Sequence, residues 1–158
     1  MQRTYLVIAA GSAIGSCVAR RLAADGAALV LAARDPSRVA ALAADLGGWV
    51  VQADATSFED VERCARDAAA RTGRLDGVLN CAGSILLKPA HLTTADELSQ
   101  VLTTNLVSAF ATLRAAALVM RPTASAVHWL LGPDCAWVTG QVIGVDGGLA
   151  DLKGRVRQ

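Results

Sequence analysis

The chain has 158 residues, 53% of them hydrophobic and 18% charged, with 15 Lys+Arg against 14 Asp+Glu for a formal net charge of +1. That length suits one domain with its own core, and that apolar content excludes a disordered chain. The near-balanced charge gives no electrostatic reason to expect a nucleic acid or an anionic membrane as partner.

The first predicted element is a strand over 4–10, a continuous apolar run that stops at Gly11. Such runs suit a strand buried on both faces, as in a parallel sheet. A helix over 14–24 follows and closes at Asp25-Gly26, glycine being favoured just past a helix end. A second strand is expected over 28–33. Pro36 opens the next helix, where its missing N–H costs nothing, and Gly47-Gly48 breaks that helix after Leu46. Residues 49–52 read as a short third strand. Ser57 can cap a helix, with Asp60 three residues on, and that helix closes near Thr72-Gly73.

A fourth strand is predicted over 75–80, followed by a long loop that carries Gly83 and Pro89. One long helix is then expected over 95–120, capped by Thr93 or Thr94, with Leu98, Leu102, Leu106, Phe110 and Leu113 at helical spacing. After Pro122 a short helix over 125–131 ends at Gly132-Pro133, and a last strand over 141–145 runs into Asp146-Gly147-Gly148. Residues 1–150 form a single domain on this reading, and 151–158 a polar tail. The alternation of strands and helices predicts an α/β fold, a doubly wound parallel sheet with helices on both faces.

No apolar run is expected to reach the ~20 residues of a membrane span. Gly11 and Gly15 fit a strand-to-helix turn better than a signal peptide. Cys17, Cys64, Cys81 and Cys135 show neither a CxxC nor a metal spacing, and read as thiols of a cytoplasmic protein with no metal site.

The turn AAGSAIG, Ala9–Gly15, lies between a strand and a helix. A helix N-terminus offers free N–H groups and the positive end of the dipole, and small residues let a pyrophosphate approach. Gly11, Ser12, Ile14 and Gly15 are therefore candidate cofactor residues. Arg34 follows the second strand, where an acidic residue would hold a ribose hydroxyl and an arginine accommodates a 2′-phosphate; Arg38 lies one helical turn on. That pattern points to NADP(H). Asp54, with Ala55, follows the third strand and suits an adenine amino group. Asn80, Ala82 and Gly83 end the fourth strand opposite the glycine-rich turn.

These motifs resemble those of the short-chain dehydrogenase/reductase family. Ala9–Gly15 resembles its glycine-rich turn, ADAT (53–56) its adenine-site segment, and NCAG (80–83) its Asn-Asn-Ala-Gly motif with one change. Thr104-Asn105-Leu106 is similar to the helix segment that carries the family's active-site Asn, and WVTGQVIGVDGG (137–148) to its last strand. The resemblance implies a Rossmann-like fold, NADP(H) as cofactor, and descent from an alcohol or carbonyl oxidoreductase. The turn departs from the family at Ile8-Ala9 and at Ala13, where the family usually has Thr-Gly and Gly. Alanine at position 9 tolerates fewer backbone angles than glycine.

The larger departure concerns catalysis. The family's proton donor is a Tyr followed four residues later by a Lys. This sequence holds one tyrosine, Tyr5, and two lysines, Lys88 and Lys153, so no Tyr-x-x-x-Lys exists. In family terms the chain passes at 121–124 from the fourth crossover helix to the helix before the last strand. The last strand would then stand beside the fourth, giving five strands in order 3-2-1-4-5. Its exposed edge, or the long helix with Val107, Leu118 and Val119, predicts a homodimer or higher oligomer.

Asn105 remains as a relic of the catalytic set, and His128 is a candidate acid, titrating in the useful range. Three functions stay open. One is an NADP(H)-binding protein that keeps the adenosine-phosphate half-site better than the nicotinamide half. Another is an enzyme, redox or not, using a different acid in a remodelled pocket on an unknown small molecule. The third is a nucleotide-free assembly protein or a deletion product of a longer reductase.

Overall fold

Apolar runs free of charge become the strands: Thr4–Ile8 (β1), Ala28–Ala33 (β2), Trp49–Gln52 (β3) and Gly77–Asn80 (β4). The structure, a computed structural model, describes residues 2–120. The expected helix over 125–131, the strand over 141–145, its fifth place in the sheet, the domain limit at 150, Cys135 and His128 lie outside the described residues. The four strands are all parallel, in order β3-β2-β1-β4. This matches the first four places of the expected order.

The sheet is covered on both faces, which is why β2 is buried at every residue. Val7, Leu29, Leu31 and Ala33 point to one side, where they meet Ala19 of Ala13–Ala24 (α1) and Val39 and Leu42 of Ser37–Leu46 (α2). Leu6, Ile8, Val30, Ala32 and Val51 point to the other. There they pack on Val61, Cys64, Ala65 and Ala68 of Phe58–Thr72 (α3), and on Ala111 and Ala115 of Ser108–Val119 (α5). The period of two along each strand thus feeds two separate cores.

Caps form where the sequence places them. Ser57 Oγ accepts the Asp60 N–H at 3.2 Å, and Gly47 and Gly73 close α2 and α3 in the left-handed conformation. Thr94, not Thr93, caps Ala95–Leu102 (α4), in a reciprocal box with Glu97. β1 is shorter than expected, ending at Ile8, because Ala9 turns the chain at φ 55. β4 starts at Gly77, two residues late, because the preceding residues serve a clamp between strand ends. The Asp76 N–H donates to the Thr4 carbonyl and the Thr4 N–H to Asp76 Oδ2, both at 2.8 Å, while Arg74 grips both Asp76 oxygens.

The expected helix over 95–120 is helical from Ala95 to Val119 but holds a π-helical turn at Thr103–Val107 between α4 and α5. Its packed side is small and partly polar: Ser108, Ala111, Thr112 and Ala115, set against α3 and β4. The Ser108 and Thr112 hydroxyls donate back to the Thr104 and Ser108 carbonyls. The large apolar residues Leu98, Leu102, Leu106, Phe110 and Leu113 are instead exposed. Of the three residues expected to mark an open helix face, Leu118 is exposed, while Val107 and Val119 are half-buried. By length and composition Ala95–Val119 does qualify as a membrane span, contrary to expectation. Here its inner side is a core contact.

Candidate functional site

Parallel strands bring all their carboxyl ends to one edge of the sheet. The Ala9–Gly15 turn, Arg34, Asp54 and Asn80–Gly83 therefore share that edge, and β1 lies between β2 and β4, where successive crossovers part to opposite faces. A crevice at such a point is where open α/β sheets hold ligands.

The turn is built so that one helix end stays open. The Ser12 N–H donates to the Ala9 carbonyl at 3.0 Å, and Ser12 Oγ accepts the Gly15 N–H at 3.0 Å. The Ser12 oxygen is thus the helix cap, and its O–H remains a donor. The N–H groups of Ala13 and Ile14 make no bond among the described residues. Gly15 is obligatory: a Cβ there would lie 2.7 Å from the Ala9 oxygen. A Cβ on Gly11 would lie 3.3 Å from Val39, which is tight. The Ile14 side chain above the turn is 71% exposed.

At the ends of β2 and β3 stand the charged groups. Arg34 forms no ion pair among the described residues, and only its carbonyl is engaged, by Gln52 Nε2 at 3.1 Å. Asp35 turns away to hold the Ser37 N–H and O–H, which keep its carboxyl below the usual range. Asp54 Oδ1 accepts the N–H and O–H of Thr56, leaving Oδ2 open. Its neighbour Ala55 is buried. A cleft of about 440 Å³ separates Arg34, Asp54 and Thr56 from a polar wall formed by Ser99 and Gln100 of α4 and Thr103 of the π-helical turn.

Behind Asp54, Asp60 Oδ2 accepts the Asp54 N–H at 2.9 Å and Oδ1 pairs with Arg63 at 2.7 Å. The Asp54 N–H, with Arg63, holds Asp60 ionised below the ordinary carboxylate value, although burial opposes it. Arg63 also donates to the Gln52 carbonyl at 3.0 Å.

At the end of β4 the side chains hold the loop. Asn80 donates to Ser108 Oγ at 3.0 Å and accepts the Ala82 N–H at 2.9 Å. Asn105 lies in the π-helical turn and is bound to Ser84 in both directions, accepting its N–H at 3.1 Å and donating to its carbonyl at 3.0 Å. It also donates to the Val101 carbonyl at 2.9 Å, so its amide is fully engaged in structure. A Cβ on Gly83 would lie 3.3 Å from Asn105 Oδ1, which is tight. Burial raises the Cys81 thiol, which disfavours a nucleophilic thiolate. Of the two catalytic candidates, Asn105 is thus tied to Ser84, and His128 lies outside the described residues.

Sequence reasoning included Thr56 in the ADAT segment without a role for it, and missed the Asp60–Arg63–Gln52 brace and the α4 wall. The wall had a signal: Asp96, Ser99, Gln100, Thr103 and Thr104 recur at helical spacing beside an apolar stripe. The brace had none, because it joins residues on two elements.

A family profile described as enoyl-(acyl carrier protein) reductase matches residues 8–129. A Mycobacterium tuberculosis "(5R,7aS)-5-hydroxy-7a-methyl-1-oxo-2,3,5,6,7,7a-hexahydro-1H-indene-carboxyl-CoA reductase" is 40% identical over 114 residues, 68% of this chain and 44% of that protein. A short-chain dehydrogenase/reductase structure from Mycobacterium ulcerans aligns with TM-score 0.71 and 29% identity, over 76% of this chain and 47% of that one. The chain belongs to the short-chain dehydrogenase/reductase family. The crystal structure of a "Putative Dehydrogenase from Burkholderia cenocepacia with bound NADP" aligns with TM-score 0.71 and 26% identity, over 77% of this chain and 49% of that one. The chain thus spans less than half the length of these relatives.

Proposed function

We propose that this short-chain dehydrogenase/reductase chain binds NADP(H) through its adenosine and phosphate half, without supplying the family's ordinary proton-donor pair. The observation that carries the reading is Arg34, whose guanidinium forms no ion pair among the described residues, lining the same cleft as Asp54, whose Oδ2 accepts no hydrogen bond among them. A guanidinium matches a phosphate in charge and geometry. A 2′-phosphate would meet Arg34, the adenine amino group Asp54, and the pyrophosphate the N–H groups of Ala13 and Ile14, unbonded among the described residues, with the Ser12 O–H. Gly11, Gly15 and Gly83 keep the backbone approachable. Bound nicotinamide would supply hydride chemistry. Among this chain's residues, Asn80 and Asn105 hold the β4 loop in place, and no Tyr-x-x-x-Lys is present to deliver the proton.

The exposed stripe of Leu98, Leu102, Leu106, Phe110 and Leu113 supports a second part of the reading, a homodimer in which α4 and α5 face their copies. One self-complementary face suffices for a twofold pair.

Calorimetric titration with NADPH, NADH and 2′-phospho-ADP-ribose tests the nucleotide reading. The first and third are expected to bind alike and more tightly than NADH. Arg34→Ala should weaken both by about tenfold or more, the size of lost charge-assisted hydrogen bonds, and leave NADH nearly unchanged. Equal loss for all three ligands would remove the 2′-phosphate assignment.

A further inference from the structure

Arg34 is the first residue past β2, and nothing in its own side chain fixes where it points. What is fixed is its carbonyl. Gln52, the last residue of β3, stands beside Ala33 in the parallel ladder and donates from Nε2 to that carbonyl at 3.1 Å. Gln52 is itself held from the far side. Arg63 of α3 donates to its backbone carbonyl at 3.0 Å, the buried Cys64 Sγ lies 3.9 Å from the same oxygen, and Arg63 is in turn paired with Asp60. The chain of bonds runs from α3 through β3 to the end of β2.

Its two branches reach different parts of the cleft. Asp60 holds the Asp54 N–H, on the side of the adenine-type acceptor. Gln52 holds Arg34, on the side of the guanidinium. The Gln52 side chain is exposed and belongs to neither core, so the bond to Arg34 is the one hydrogen bond its amide makes among the described residues. An exposed amide fastened to the carbonyl of a residue beyond the strand end restricts the φ and ψ that aim that residue's side chain.

We propose that Gln52 is a positioning residue for cofactor choice: by tethering the Arg34 carbonyl to β3 it presents the Arg34 guanidinium to a ribose 2′-phosphate, and so favours NADP(H) over NAD(H). This rests on the assignment of Arg34 to the 2′-phosphate. Gln52 touches no ligand atom in this scheme. Its effect is confined to ligands that carry the phosphate, because the Asp54 branch is anchored separately through Asp60.

The test is titration of wild type and Gln52→Met with NADPH, 2′-phospho-ADP-ribose, NADH and ADP-ribose. Methionine keeps the length and lacks the donor. NADPH and 2′-phospho-ADP-ribose should each lose about fivefold in affinity, the weight of one neutral hydrogen bond, with NADH and ADP-ribose within twofold of wild type. Asp60→Asn, in the other branch, should weaken all four ligands together. If Gln52→Met leaves the NADPH preference intact, or lowers all four ligands equally, the proposal is overturned while the Arg34 assignment stands. A wild type with no preference for the phosphorylated ligands overturns that assignment, and the proposal with it.

Discussion

Ala9 has φ 55, the one non-glycine residue with positive φ among those described. An L-residue in this region costs roughly 1–2 kcal/mol, because its Cβ crowds the following carbonyl. The turn accepts the strain because its carbonyl receives the Ser12 N–H and lies where only a glycine at position 15 leaves it room. Ala9→Gly should therefore stabilise the protein by about 0.5–1 kcal/mol, the relief being partly offset by the greater freedom of glycine in the unfolded chain. Denaturant midpoints with unchanged slope would measure this. A midpoint that falls would mean that the turn is not strained as its φ implies.

Between elements, the clamp at the amino ends of β1 and β4 depends on ionised Asp76. Burial pushes that carboxyl up, but the Arg74 side chain and the Thr4 N–H outweigh burial and hold it below its ordinary value. A depressed folded pKa stabilises above the unfolded value, near 3.9, and the contribution is lost as pH falls through the folded one. Thermal melting between pH 6 and pH 3 should show a drop below about pH 4 that Asp76→Asn flattens. An unchanged acid limb in the variant would place the loss elsewhere. Asp76 also shows what the sequence leaves unsaid. The run LDGVLN reads as one strand, yet Leu75 goes to the core and Asp76 to a cross-strand clamp before β4 begins. β2 was legible to the residue because an uninterrupted apolar run has no other use in a parallel sheet. That the candidate positions after each strand share one edge was legible too, because chain order in a parallel sheet puts them all at the carboxyl ends. The α3 brace was not, since Asp60 reads as a helix cap until β3 is placed beside it.

For the whole molecule, the long helix has its large apolar residues on the outside. Leu106 is 63% exposed, and Leu98, Leu102 and Phe110 continue the stripe. Phe110 also meets Phe58 edge-on at 5.9 Å, so the stripe borders α3. If two copies pair there, Leu106→Glu places like charges at a twofold contact. It should convert a dimer to a monomer in sedimentation velocity without loss of helical circular dichroism. A wild type that sediments as a monomer would dispose of the pairing.

The π-helical turn at Thr103–Val107 gives this helix a phase as well as a length. An α-helix advances about 100° per residue, and a π turn absorbs one residue more than an α turn. The wall residues Asp96, Gln100 and Thr104 continue at steps of four into Ser108 and Thr112, the packed side of α5. Steps of four drift around a regular helix, and the additional residue cancels much of the drift. Deleting one residue from this turn would thus act as a rotation: α5 would keep its seat on α3 and β4, and the polar wall would swing about 100° away from the cleft. For this helix, an insertion or deletion is an angular change whose cost falls on the cleft side, with the core left in register.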